Sequence, residues 1–179
     1  MIRSFARGLD RTSAALNTVA LLGAVLAVLV MVYAAGWQVI ARYILSSPPV
    51  WTEELARRAM VWAGMLGASA AFRAGADPVL FPGAATLRGG AGLALALFRA
   101  GGVLLFAAPV LWFSLFGPNL NMARGFLGRS LGRTAEMIPL PMIWFTAAVP
   151  LAFALILVHL AARLALQATD QLPTEPNTP

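Results

Sequence analysis

The sequence predicts an all-α integral membrane protein with four transmembrane helices and short interfacial amphipathic helices. Three observations carry that reading. Of 179 residues, 60% are hydrophobic and only 11% charged, where a soluble domain carries roughly 25% charged residues. Long apolar runs alternate with clusters of proline, glycine and arginine. The arginines stand singly or in pairs at the borders of those runs, where membrane topology expects them. Residues 1–166 form one membrane domain with spans at about 16–40, 50–73, 92–116 and 139–164, and 167–179 reads as a polar, proline-rich disordered tail.

The elements follow in order. In residues 1–11, Arg3, Arg7 and Arg11 share one helical face opposite Ile2, Phe5 and Leu9, which suits a helix lying in the interface before it turns inward. The run is too long for the core of a cleavable signal, so we read it as a retained first span. Thr12–Ala41 is thirty residues without a formal charge; at 1.5 Å per residue that is about 45 Å, more than the roughly 30 Å hydrocarbon core needs. Arg42-Tyr43 closes the span at headgroup level, and Ser46-Ser47-Pro48-Pro49 breaks the helix.

The uncharged part of the second span, Ala59–Phe72, is only fourteen residues. It must therefore borrow the turns of Trp51–Arg58, which brings a cluster of charges to the membrane edge. Gly64, Ala68, Ala71 and Gly75 form a stripe of small residues along this helix, with Gly67 beside it. Such stripes allow close helix approach in lipid. We take packing within this chain over an inter-subunit face as its use. A turn-rich connector, 74–90, leads to a third span containing Arg99 and Pro109. Segment 120–136, with Arg124, Arg129, Arg133 and Glu136 among apolar residues, reads as amphipathic and interfacial. Pro139 and Pro141 suit the start of the fourth span, and Pro150 is expected to kink it.

Composition also excludes. The thirteen basic residues are all arginine and the net charge is +6, but no basic face is assembled, so no nucleic-acid partner is expected. With no cysteine, thiol chemistry and cysteine-bound metals are out. The one histidine, His159, cannot supply two axial ligands to a haem and reads as an interfacial packing residue. None of the seven acids falls at mid-span, where a proton-coupled carrier keeps its carboxylate, and no two matched halves with broken helices appear. We expect no catalytic residue, no cofactor and no metal. An accessory or scaffold membrane subunit fits best; a stand-alone small transporter or channel and an anchor of another membrane complex are the alternatives.

The charged cluster is the most specific feature. Glu53 with Arg57 and Glu54 with Arg58 stand at i,i+4 with the acid first, the better orientation for pairing. Two readings compete: salt bridges facing the headgroups, worth a few tenths of a kcal/mol each, or a partly buried network that fixes the Arg42–Trp51 corner and meets another subunit. For Glu54, crowded by Trp51 and Leu55, we take the network; for Arg58 both stay open.

Arg42-Tyr43, a short break, Trp51-Thr52-Glu53-Glu54-Leu55-Ala56-Arg57, Val61-Trp62, Gly67-Ala68 and Arg73 resemble the small membrane subunit of tripartite ATP-independent periplasmic (TRAP) transporters. Ile138-Pro139, Trp144 and Pro150 are similar to the opening of that family's last span. The resemblance covers essentially the whole chain; a histidine-containing step common after the second span is replaced here by Ala76-Asp77-Pro78. It implies a bacterial inner-membrane subunit that braces a large membrane subunit holding the substrate and sodium sites. It implies also a soluble periplasmic binding protein that delivers an organic acid. Seven arginines on the side of the N-terminus face six on the other. The Arg3–Arg11 group then places both termini in the cytoplasm and the Trp51 cluster at the periplasmic edge.

Overall fold

A computed structural model describes residues 2–76 and 89–169. The expected Asp77 step, most of the second connector and the tail beyond Thr169 lie outside the described residues. Among the described residues there are six α-helices: α1 (Ile2–Tyr43), α2 (Trp51–Ala74), α3 (Gly89–Leu115), α4 (Phe126–Leu131), α5 (Ile143–Thr146) and α6 (Ala148–Ala168). Three stretches are long and apolar enough to cross a membrane: Arg3–Tyr43, Gly92–Leu115 and Ile143–Ala168. α2 has the length, at 24 residues, but its Glu53, Glu54, Arg57, Arg58 and Arg73 keep it out of that group.

α1 differs from expectation at its start. The basic arm does not turn away but continues into the span as one 42-residue helix, about 63 Å long. Nothing between Gly8 and Ser13 breaks it: Thr12 and Thr18 fold their hydroxyls back onto the carbonyls of Gly8 and Ala14, and Asp10 and Ser13 are tied to α2, as described below. The other end does stop at Ser46-Ser47-Pro48-Pro49, where the ring nitrogens cannot donate. There the Thr52 hydroxyl donates to the Pro49 carbonyl (2.8 Å) and opens α2. Gly75, at φ 68°, ends α2 in the left-handed conformation, and the Ala76 N–H returns to the Ala71 carbonyl (3.1 Å).

The fourth span starts later than its prolines suggest, at Ile143, and is divided at Ala147. Pro150 explains the division: it has no N–H to give the Thr146 carbonyl, while the bonds on either side, Ala147 to Ile143 and Leu151 to Ala147, persist. Pro109 is carried inside α3. The 120–136 segment is not one amphipathic helix. Two 3-10 turns, Pro118–Leu120 and Met122–Arg124, lead into the six residues of α4. Its tightness comes from glycine. A side chain at Gly125 would strike the Leu115 backbone, and one at Gly128 the Met122 carbonyl.

α1 lies along α2, both pack on α6, and α3 packs on α6 and α4. The buried apolar positions are mostly alanine: Ala20, Ala24, Ala34 and Ala41 on α1, Ala148, Ala152 and Ala162 on α6. At the centre Ala20, Ala24 and Leu66 meet, with Trp62 and Leu155 against them. Leucine, valine and phenylalanine point outward instead. That inversion suits lipid, where leucine gains nothing from hiding and close backbone approach holds helices together.

The glycine positions make a direct test. Gly125→Ala should destabilise the chain in detergent by about 1–3 kcal/mol through overpacking. Gly8→Ala, inside α1 with a new methyl that meets nothing within 4 Å, should not lower the unfolding midpoint and should gain up to about 1 kcal/mol of helix propensity.

Candidate functional site

Two polar clusters tie the helices, one near each end of α2. Glu54 forms the first. Its side chain is 3% exposed, and Arg58 pairs with it at 3.1 Å. The same carboxylate accepts the backbone N–H of Met137 (2.7 Å) and, at 3.4 Å, that of Glu136. Arg58 also lies over the Phe145 ring, 5.5 Å from its centroid, and the Trp62 indole donates to the Trp144 carbonyl (2.9 Å). Glu54, Arg58 and Trp62 thus hold the connector and α5 against α2. The partner pair is different: Glu53 and Arg57 stand 3.8 Å apart with 57% and 60% of their side chains exposed, the solvent-facing geometry that contributes little.

The other predicted site residues scatter. Arg42 and Tyr43 are exposed at the end of α1, and Trp51 is exposed at the start of α2. None of these three joins the Glu54 cluster among the described residues. The corner is fixed instead by the Thr52 hydroxyl and the two prolines. The small-residue stripe also departs from expectation. Gly64 and Ala68 are exposed, Gly67 and Ala71 half-buried, and a side chain at Gly64 or Gly67 would meet nothing within 4 Å. Among the described residues, Gly64 and Ala68 lie off the buried face of α2. The buried face of α2 runs through Thr52, Ala59, Leu66 and Ser69.

The second cluster was not anticipated as a unit. Arg73 donates to Asp10 Oδ1 (3.0 Å) and to the Ser13 hydroxyl, and Ser13 is 2.7 Å from His159 Nδ1. One chain of contacts thereby joins α1, α2 and α6. Since Arg73 can only donate, Ser13 Oγ accepts from it, and the ring's tautomer sets which of Ser13 and His159 donates in the second contact. His159 is buried within the bundle. The sequence signal was faint: Asp10 and Ser13 share a face three residues apart, but their partners lie 60 and 146 positions away.

Neither cluster supplies a reaction centre. Among the described residues no three acids or histidines gather to hold a metal. Ser13 has no exposure to any substrate. What the arrangement does is fix helices against one another.

Replacing Glu54 with Gln removes the charge from three hydrogen bonds and should cost about 1.5–3 kcal/mol. Glu53→Gln should stay within about 0.5 kcal/mol of the parent. Unfolding of the two purified variants in mixed detergent micelles would show the contrast. Ser13→Ala should cost about 1–3 kcal/mol in the same assay, because it strands the buried His159 and removes one of Arg73's two partners.

A search of the curated proteins finds no match. Residues 31–170 match the family described as tripartite ATP-independent periplasmic transporters, DctQ component. That segment takes in the Glu54 cluster, α2, α3 and all of α6. The chain is a member of the DctQ family, a membrane component of TRAP transporters.

Proposed function

We propose that this chain is the non-catalytic small subunit of a sodium-coupled TRAP transporter for organic acids, sited in the bacterial inner membrane. In this reading it braces the scaffold of a large membrane subunit and helps dock a periplasmic binding protein. Family membership supports the partners. The observation that carries the bracing role is the small-residue face of α2. Gly64 and Ala68 lie on the exposed face of α2 together with Met60 and Val61, and small residues there admit a neighbouring helix in lipid. On the opposite side of α2, an apolar groove of about 290 Å³ is lined by Gly23, Ala27, Leu55, Trp62 and Phe145.

In this reading α2 also serves as a span, the second of four. Its Glu54 and Arg73 are nineteen residues apart, about 28 Å along a helix, close to the roughly 30 Å of the hydrocarbon core. The two polar clusters then sit at opposite membrane faces, where charge is tolerated. With the termini cytoplasmic, the Glu54 cluster and the connector face the periplasm, the side from which a binding protein approaches.

Gly64→Leu with Ala68→Leu should abolish co-purification of the large membrane subunit in mild detergent. The isolated variant should unfold at the parent's midpoint, because neither position packs within the chain. Retention of the large subunit by this variant would remove α2 from the interface. Elution of the parent chain alone, as a homo-oligomer from its native membrane, would overturn the subunit reading itself.

A further inference from the structure

The end of α3 and the turns that follow it enclose an open cavity of about 480 Å³, within the roughly 300–1,000 Å³ typical of ligand pockets. Its walls have two characters. Trp112, Phe113 and Phe116 supply an aromatic side, with the Trp112 and Phe116 rings 4.9 Å apart. Asn119, Arg124 and Arg129 supply a polar one. No carboxylate lines the cavity, and neither arginine forms an ion pair among the described residues. The cradle is built rather than incidental: Gly117 abuts the Arg124 backbone and Gly125 abuts Leu115, so the turns are held against the end of α3.

We infer that this cavity binds the phosphodiester headgroup of an anionic phospholipid. Arg124 and Arg129 would hold the phosphate, and the Trp112–Phe116 wall would carry the glycerol and the first acyl carbons. Arginine's planar fork matches phosphate oxygens, and tryptophan belongs at the membrane–water boundary. The aromatic wall favours a lipid over the acidic surface of a soluble protein. Trp112 and Phe113 are exposed on a helix apolar enough to span the membrane, 50% and 69% respectively, so a ligand there is reached from the bilayer. The end of α3 also carries a charge surplus. The elements at this end hold Arg42, Arg57, Arg58, Arg124, Arg129 and Arg133 against Glu53, Glu54 and Glu136, and the two glutamates of α2 are already engaged. The inference needs α3 to be a span. It does not depend on which face is periplasmic or on the large subunit.

The test is native mass spectrometry of the full chain in detergent, titrated with phosphatidylglycerol, with phosphatidylcholine, and with inorganic phosphate as competitor. One phosphatidylglycerol should be retained in preference to phosphatidylcholine. Arg124→Gln with Arg129→Gln should reduce that retention about tenfold. Arg3→Gln with Arg7→Gln, at the far end of the bundle, should not. Gly125→Ala, which disturbs the cradle and keeps both arginines, should weaken it as well. Equal retention of the two lipids, or undiminished retention by the double arginine variant, would overturn the site. Full displacement by millimolar phosphate would overturn the lipid and leave a small-anion pocket. If the arginine variant keeps its lipid but loses an acidic binding protein, the surface is a protein contact and the inference fails. Co-purification of the large subunit, followed in parallel, reports on the subunit reading independently.

Discussion

Arg73 is the contact on which the bundle's register depends. Helices in lipid have no hydrophobic incentive to meet, so close packing and hydrogen bonds must hold them. The core here is thin, made of alanine with a single buried leucine at its centre. Arg73 spans the gap with one guanidinium: it reaches Asp10 and Ser13 on α1, and through Ser13 it reaches His159 on α6. Two charges and two neutral polar groups share the cluster, so neither charge is left alone near the membrane edge, the condition under which buried charge becomes costly.

At the other end the logic is inverted. Glu54 makes its ties to backbone N–H groups of the connector, not to a side chain on a neighbouring span. This bears on the competing readings of the charged stretch. If Glu54 and Arg58 were only an intrahelical pair, exchanging them would cost little. An arginine at position 54 cannot accept from Met137, so the exchange would release the connector even though the pair itself survived. Glu53 and Arg57, one residue earlier on each side, form the exposed pair that the pessimistic reading described. Identical spacing thus gives two roles, and burial decides between them.

That contrast also marks what could be read from the sequence. The spacing predicted both pairs, the crowding by Trp51 and Leu55 pointed to Glu54, and Pro48-Pro49 placed the corner between α1 and α2. Apolar runs located α1, α3 and α6 because a bilayer imposes a length that composition reveals. Three things were not legible. The Arg73 cluster joins residues far apart in the chain, and no local pattern announces a partner 146 positions away. The outward turn of Gly64 and Ala68 was hidden because both faces of α2 carry small residues, and the small-residue spacing alone does not say which one faces the core. The tight turns after α3 were not visible because Gly117, Gly125 and Gly128 permit backbone contacts that hydropathy does not register.

The two clusters together argue that this bundle is built to hold still. Sliding α2 by one turn, about 5.4 Å, would pull Arg73 from Asp10 and Ser13 at one face. The same movement would pull Glu54 from Met137 at the other. Both losses arise together, since one rigid helix carries both residues, and nothing along the alanine seam would compensate. A moving transport element needs alternative arrangements of comparable energy; a helix pinned near both ends by charge-assisted bonds lacks them. α1, α2 and α6 are thereby tied into one frame, as the bracing role we propose requires.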